Sequence, residues 1–286
     1  MSKAKNLTRR IIPSTLWRLA GFVKRLPMYW RLERNEGLRV RKNLPGLPLH
    51  LTDDLFVQIP ESASAYTSWR SHGLEEAISH REIMDFVHLA AGRRALFDVG
   101  AQMGFVSSVF ARSRPDGGRI LSLEPDPQVA SVLQRAKELN AGPSVDWQIL
   151  HEAVSDREGT IQLPISNILY EPNGHTKSGG SIKVRARTLS ELAAQTGWMP
   201  DIVKIDVESF EYEVLTSSLD LIGKHKPALQ LEIHWGFLRA RGRAAMDFLG
   251  PLAELGYRGI RRRYHDLRSW EQAGQRESVS RFSLAS

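Results

Sequence analysis

Residues 95–105, ALFDVGAQMGF, decide the fold, because a short apolar run leads there into an acidic residue and two glycines. An apolar run bounded by a glycine turn is typical of a buried strand that passes directly into a helix. Gly100 permits a tight turn and a close approach of the backbone, and Gly104 stands where the helix would begin with unpaired amides. Taken alone, the stretch fits either a cofactor-binding loop or an ordinary strand–turn–helix corner.

Strand and helix patterns alternate along the chain after residue 75. They predict helices over 76–90, 104–113 and 237–255, with shorter helices after Pro127, before residue 201 and after residue 207. They predict strands over Arg94–Val99, Arg119–Glu124, Val145–Leu150, Thr160–Pro164, Ile182–Leu189, Asp201–Val207 and Pro227–Ile233, and a terminal hairpin of Tyr257–Arg262 with Val279–Leu284. This alternation predicts an α/β fold of the Rossmann-like kind, with a doubly wound, mostly parallel sheet.

The composition of the 286 residues is ordinary for a globular protein, and the absence of cysteine excludes disulfides and thiolate chemistry. The net charge of +7 is uneven, because residues 1–50 carry +10, which leaves −3 for the other 236 residues. A nucleic-acid-binding body would be basic, so no nucleic-acid partner is predicted.

The basic charge lies in a predicted N-terminal extension, residues 1–60, which precedes one domain over residues 61–286. Apolar residues at helical spacing between Pro13 and Pro27 predict an amphipathic helix over 14–26. A basic amphipathic helix fits either a peripheral contact of residues 14–32 with an anionic membrane surface or packing on the domain, and both stay open. The absence of a signal-peptide pattern or an apolar spanning segment leads us to expect a cytoplasmic protein, with or without that contact at the inner face of the membrane.

Acidic residues stand at the ends of five predicted strands, the edge at which doubly wound sheets bind ligands. Gln102 occupies the place where a dinucleotide-binding loop needs its second glycine, which argues against a nicotinamide cofactor. Glu124 follows Gly104 by twenty residues and suits the two hydroxyls of a ribose, while Asp98 suits an ammonium group. A ligand with these groups and no phosphate is S-adenosylmethionine. A corner that carries acids by chance is the alternative.

Two further stretches follow strand ends. Glu152 and Ala153 come directly after the third strand, where an acid or a backbone amide suits the adenine amino group, although a solvated loop is an equal interpretation. Lys204, Asp206 and Glu208 share one strand face by their spacing of two. Glu232 and His234 end the next strand, so ionisable groups from two strands are expected in one crevice, as a reaction site or as a structural ion-pair network.

These motifs together resemble the FkbM-family methyltransferases over roughly residues 75–240. The resemblance rests on FDVGAQMGF, SLEPDP, EAVSDREG, RTLSEL and DIVKIDVESFEYEVL followed by LEIH. It implies a Rossmann-like class I fold that uses S-adenosylmethionine, with Asp98, Gly100 and Gly104 at the methionine end of the cofactor and Glu124 at the ribose. Ala101 and Gln102, between those glycines, are expected to contribute to the same cofactor site.

Two residues depart from the family pattern: Gln102 stands where asparagine is usual, and Ser209 stands where glycine commonly follows the glutamate. Gln102 keeps an amide with a longer reach. Ser209 adds a side chain beside the crevice, which bears on the acceptor more than on the cofactor.

The resemblance further implies methylation of a hydroxyl on a saccharide, a glycolipid or a natural product. An aliphatic hydroxyl needs a base as its oxygen is methylated, and His234 and Asp206 are the candidates, with Lys204 orienting one of them or steadying the alkoxide. No metal site is predicted, since no ligand spacing is evident, although Asp206 and Glu208 could hold magnesium. The loop Tyr170–Gly180 could cover the acceptor or be a mobile hairpin tip. A non-catalytic binding protein of the same fold, docked at a membrane, is the alternative function.

Overall fold

The computed structural model describes residues 47–62, 65, 68–70, 78–164, 181–208, 210–260, 265–277 and 279–286. Within them the strands are β1 Leu47–His50, β2 Phe56–Ile59, β3 Ala95–Val99, β4 Gly118–Leu123, β5 Val145–Leu150, β6 Ala153–Val154, β7 Gly159–Pro164, β8 Ser181–Arg187, β9 Ile202–Ile205, β10 Ala228–Ile233, β11 Arg258–Gly259 and β12 Ser280–Ala285. The helices are α1 Ile78–Ala90, α2 Phe105–Arg112, α3 Ala130–Asn140, α4 Leu189–Thr196, α5 Glu211–His225, α6 Trp235–Ala240, α7 Met246–Glu254 and α8 Leu267–Arg276.

The central sheet has seven strands in the order β11-β12-β10-β9-β3-β4-β5. The five strands from β10 to β5 are parallel, whereas β12 is antiparallel to β10 and β11 is antiparallel to β12. The chain runs outward from β3 to β4 and β5 on one side and reaches β9 and β10 on the other. The strand order therefore switches between β3 and β9, and the predicted doubly wound, mostly parallel sheet is confirmed.

Apolar clusters cover both faces of this sheet, because alternate residues of a strand point to opposite faces. Phe97 and Val99 of β3 join one cluster with the residues of α4, α5 and α7. Leu96 joins the other cluster, which includes residues of α1, α2 and α3. In the described part of the chain the sheet is thus buried between two layers, which leaves its strand ends for a ligand to approach.

Two predicted elements differ from the structure. The single helix predicted over 237–255 is two helices, α6 and α7, because Gly242 adopts φ +68° and the Arg243 amide donates back to the Leu238 carbonyl at 2.9 Å. Such a left-handed glycine closes a helix. The predicted terminal hairpin does pair β11 with β12, but α8 stands between the two strands and β12 also pairs with β10.

The N-terminal hairpin of β1 and β2 packs on the body of the domain. Val57 and Ile59 are buried in the same cluster as α2 and α3. The Gln58 amide donates to the Asn140 side chain at 2.7 Å, and Asn140 returns a hydrogen bond to the Gln58 carbonyl at 2.9 Å. Residues just before the predicted boundary at residue 60 thus pack on the body of the domain, and the division itself stays a prediction. The amphipathic segment 14–32 lies outside the described residues.

A second sheet of three strands, in the order β6-β8-β7, begins at Ala153, shortly after the end of β5 at Leu150. Its strands β7 and β8 pair antiparallel, and the loop Tyr170–Gly180 between them lies outside the described residues. Among the helices that the structure describes, none combines the length and the apolar character needed to cross a bilayer.

Candidate active site

One cavity of about 600 Å³ opens at the carboxyl ends of the parallel strands, beside the switch between β3 and β9. It is lined by nine of the residues predicted for the site: Gly100, Ala101, Gln102, Glu124, Glu152, Ala153, Lys204, Asp206 and Glu208. The residues predicted to bind the cofactor and those predicted to react with the acceptor thus share one continuous space. Three predicted residues, Asp98, Gly104 and His234, are not among its lining residues.

Gly100 brings the turn after β3 against the end of β9. Its φ is +76°, and a Cβ atom there would lie 1.8 Å from the Asp206 carbonyl oxygen. The Lys204 ammonium group donates to the Gly100 carbonyl at 2.6 Å. Only glycine fits this crossing, because any side chain would overlap the backbone of the neighbouring strand.

Glu124 shapes the part of the cavity next to this turn. Its two carboxylate oxygens accept hydrogen bonds of 2.8 Å from the backbone amides of Gln102 and Asp126. Burial raises the pKa of Glu124, and the two amides oppose that shift. A carboxylate has about four acceptor positions, so Glu124 keeps capacity for further donors such as ribose hydroxyls. Gln102 adopts φ +50° as part of the turn, and its backbone amide is the donor to Glu124.

Asp98 and Gly104 lie behind the cavity. The Asp98 side chain is fully buried, accepts a 2.6 Å hydrogen bond from Ser107, and has its Oδ1 atom 3.6 Å from the Lys204 ammonium nitrogen. Gly104 precedes α2 with φ +81°, and a Cβ atom there would meet Leu133 at 2.7 Å. Both residues hold the turn and the helix in place, and a direct contact with the cofactor stays a prediction.

Lys204 links the turn to the reaction side of the cavity. Its ammonium nitrogen lies 3.7 Å from the Asp206 carboxylate in addition to its contacts with Asp98 and Gly100. Burial alone would lower the pKa of Lys204, but the carboxylates of Asp206 and Asp98 outweigh it and raise the pKa. Lys204 is therefore a fixed cation in the cavity wall, and it orients Asp206.

His234 lies beneath the lining, at the end of β10. Its Nδ1 atom is 2.7 Å from the Glu211 carboxylate, and its Nε2 atom is 3.4 Å from Glu208 and 3.8 Å from Glu232. Burial lowers the pKa of His234, but Glu211, with Glu208 and Asp206, more than reverses this and raises the pKa to about 9. The imidazole of His234 is therefore protonated on both ring nitrogens, and so positively charged, at neutral pH in this arrangement.

Glu208 projects into the cavity from a strained backbone, with φ +48°. Its side chain is 68% exposed. Partial burial raises the pKa of Glu208, and the neighbouring carboxylates of Asp206 and Glu232 add to the shift against the opposing charge of His234. A non-glycine residue held at positive φ is costly, and such residues concentrate at functional sites. Ser209, the next residue, lies outside the described part of the chain.

A family model described as the methyltransferase FkbM domain matches residues 98–258, which include most of the residues that line the cavity. The chain belongs to the FkbM methyltransferase family. Its cofactor is S-adenosyl-L-methionine, as predicted. Among curated proteins, none matches this FkbM methyltransferase at a significant level.

Solved structures with a similar fold include three methyltransferases. An FkbM methyltransferase from Methylobacillus flagellatus KT is 18% identical at a TM-score of 0.39, and the match covers 56% of this chain and 37% of that one. The precorrin-6y C5,15-methyltransferase from Geobacter metallireducens GS-15 is 16% identical at a TM-score of 0.37, covering 64% and 74%. An O-methyltransferase from Bacillus cereus in complex with SAH is 12% identical at a TM-score of 0.37, covering 68% and 73%. The match therefore spans little more than a third of the length of the M. flagellatus protein.

Three residues of this FkbM methyltransferase belong to the site but escape the sequence analysis. Arg281 of β12 lines the cavity and binds Glu232 through two hydrogen bonds of 2.6 and 2.7 Å. Phe237 is 54% exposed, lines the cavity and stacks on His234 with centroids 5.9 Å apart. Glu211 is fully buried. Only Glu211 has a sequence signal, since it shares the apolar helical face of Val214, Leu215, Ser218, Leu221 and Ile222.

Proposed function

We propose that this methyltransferase transfers the methyl group of S-adenosylmethionine to a hydroxyl oxygen of a saccharide, a glycolipid or a natural product. The observation that carries the proposal is the single cavity that joins the Glu124 end to the carboxylates of Asp206 and Glu208. A cofactor bound by its ribose at one end and an acceptor held by carboxylates at the other would share this space.

In the proposed complex, the ribose hydroxyls donate to Glu124, whose oxygens are already fixed by two backbone amides. The turn at Gly100, Ala101 and Gln102 supports the methionine part, because its backbone lies at the cavity wall. Ala153 and Glu152 support the adenine. Glu152 is held there by Arg187, whose Nε atom lies 2.6 Å from its carboxylate.

The reaction needs alignment and one base. The acceptor oxygen attacks the methyl carbon, the carbon–sulfur bond breaks with its electron pair moving to sulfur, and the hydroxyl proton moves to a base. We assign the base to Glu208, because it faces the cavity and a raised pKa makes a carboxylate a better proton acceptor. His234, at a pKa of about 9, already carries a proton at neutral pH, and Asp206 is held by Lys204.

The acceptor wall suits a sugar. The exposed ring of Phe237 offers an apolar platform beside the polar groups of Glu232 and Arg281, which matches a ring with one apolar face and hydroxyls at its edge. A glycolipid acceptor would agree with the predicted membrane contact of residues 14–32. We include that contact and a cytoplasmic location in the proposal.

Isothermal titration with S-adenosylmethionine tests the cofactor part. We expect binding by the wild type and by Glu138→Gln, an exposed control, and at least ten-fold weaker binding by Glu124→Gln. Glu208→Gln should bind the cofactor as the wild type does. Wild-type protein that fails to bind S-adenosylmethionine would favour the non-catalytic binding protein.

Mass spectrometry of glycans and lipids from cells with and without the gene identifies the acceptor. The expected result is one species that loses a single methyl group in the deletion strain. The methyl group should return with the wild-type gene and not with Glu208→Gln. Restoration by Glu208→Gln would contradict the assignment of the base.

A further inference from the structure

Three ligand atoms from the ends of two neighbouring strands converge beneath the acceptor end of the cavity. One carboxylate oxygen each of Asp206 and Glu232 and one ring nitrogen of His234 all lie within 4.8 Å of one another. Ligands about 2.0–2.2 Å from one ion lie at most about 4.4 Å apart. Three atoms on one ion must lie somewhat closer together than this limit, so side-chain adjustments of up to about an ångström would bring all three onto a single ion.

His234 is oriented as a metal ligand would be. Its Nδ1 atom is fixed at 2.7 Å by Glu211, a fully buried carboxylate, which turns the Nε2 atom toward the cluster. The Nε2 contacts with Glu208 and Glu232, at 3.4 and 3.8 Å, are longer than an ordinary hydrogen bond. A histidine that ligates a metal characteristically gives its other ring nitrogen to a carboxylate.

The two carboxylates are positioned in the same manner. Arg281 holds Glu232 through two hydrogen bonds, and the Lys204 ammonium nitrogen lies 3.7 Å from Asp206. Each carboxylate keeps further lone pairs for a ligand. All three side chains of the cluster thus have a second group that fixes their orientation, as the outer partners of metal ligands do.

The charge around the cluster calls for a further cation. Four carboxylates surround His234, while Lys204, Arg281 and the protonated imidazole of His234 supply three positive charges, one fewer than the carboxylates. Those carboxylates are Asp206, Glu208, Glu211 and Glu232. Partly buried carboxylates in excess are costly unless a cation compensates them. A divalent ion between Asp206, Glu232 and His234 would supply that compensation.

We propose that Asp206, Glu232 and His234 bind a divalent metal ion of the first transition row, such as Mn²⁺. One imidazole with two carboxylates favours such an ion over Mg²⁺ and Ca²⁺, which prefer oxygen ligands alone. This inference rests on the proposed function for its role: an ion at this point would bind the acceptor hydroxyl and lower its pKa, so that Glu208 removes the proton more readily.

The test is a titration of Mn²⁺ into the full-length, chelator-treated protein. The EPR signal of the free aquated ion measures how much Mn²⁺ remains unbound. We expect one bound ion per chain in the wild type and in the exposed controls Asp116→Asn and His88→Gln. Glu232→Gln and His234→Gln should bind at least ten-fold more weakly. Glu211→Gln, which touches no bound ion, should weaken binding by about ten- to hundred-fold through loss of orientation.

Circular dichroism and thermal unfolding show which variants are folded. Glu211→Gln and Glu232→Gln test Mn²⁺ binding independently, so one folded variant of the two is sufficient. Failure of the wild type to bind Mn²⁺, or equal binding by the folded ligand variants, would overturn the metal site. Titration of S-adenosylmethionine into the same chelator-treated protein separates the two proposals. Cofactor binding without metal binding defeats only the metal site, whereas metal binding without cofactor binding defeats only the proposed function.

Discussion

Replacement of Gly100 by alanine would place a methyl group 1.8 Å from the carbonyl oxygen of Asp206. Carbon and oxygen atoms in contact lie about 3.2 Å or more apart, so the turn and the end of β9 would have to separate by more than an ångström. The close packing on both sides of the sheet resists such a movement. We therefore expect Gly100→Ala to damage both stability and the cavity wall.

Two terms contribute to the size of this effect. A non-glycine residue at the observed φ of +76° costs about 1–2 kcal/mol, and an overpacked site costs about 1–3 kcal/mol more. The sum, about 2–5 kcal/mol, is a large part of the 5–15 kcal/mol that stabilises a typical domain. Gly92 isolates the first term, because its φ is +74° and a Cβ atom there meets nothing within 4 Å.

Urea unfolding of the wild type, Gly100→Ala and Gly92→Ala measures both terms. Gly92→Ala should lose only about 1–2 kcal/mol, and Gly100→Ala should lose clearly more. Isothermal titration should also show weaker binding of S-adenosylmethionine for Gly100→Ala alone. Equal losses of stability in the two variants would refute the argument from the close backbone approach.

Three other predictions concern single sites. Gln102→Asn should raise the free energy of unfolding, measured in urea, by about 0.5 kcal/mol, because asparagine tolerates the φ of +50° better. A lower free energy of unfolding would contradict this interpretation of the turn. Gly274→Ala should lower the melting temperature despite the helical gain from alanine, because its Cβ atom would lie 2.7 Å from the Trp235 ring, and a higher melting temperature would count against that contact. The hydrogen bond from Arg135 lowers the pKa of Glu61 in the folded protein below 4.5. This ion pair therefore stabilises the fold above pH 4.5, and the stabilisation is lost as the pH falls through the pKa that Glu61 has in the folded state. Glu61→Gln should flatten this acid dependence, and an unchanged slope would exclude Glu61 as its source.

The strand-end residues of the site were open to prediction because parallel strands bring their carboxyl ends to one edge. Glu124, Lys204 and Asp206 needed only a strand pattern and a position at its end, and all three line the cavity. Asp98 satisfied the same rule, but its side chain is buried with Ser107 of α2. The sequence does not say whether the last acid of a strand points up into the crevice or sideways under a helix.

The partners that set the chemistry were beyond the sequence. Glu232 and Arg281 are 49 residues apart, and they meet because β12 turns back and pairs with β10. His234 and Glu211 are 23 residues apart, and they meet because α5 packs its buried face against the neighbouring strand end. The sequence spacing of Asp206, Glu232 and His234 did not indicate the candidate metal site, since these residues come from the ends of two different strands.

The sequence by itself determined the alternation of strands and helices, the glycines of the first turn and the acids at the strand ends, because each depends on a few adjacent residues. The tertiary structure alone decided which acids face the cavity, which cations hold them and which carboxylate raises the pKa of His234 to about 9. These depend on strand register and on helix packing over tens of residues. The stretch ALFDVGAQMGF shows the division, since its glycine was evident at once, while the reason for it is the carbonyl of Asp206 more than a hundred residues away.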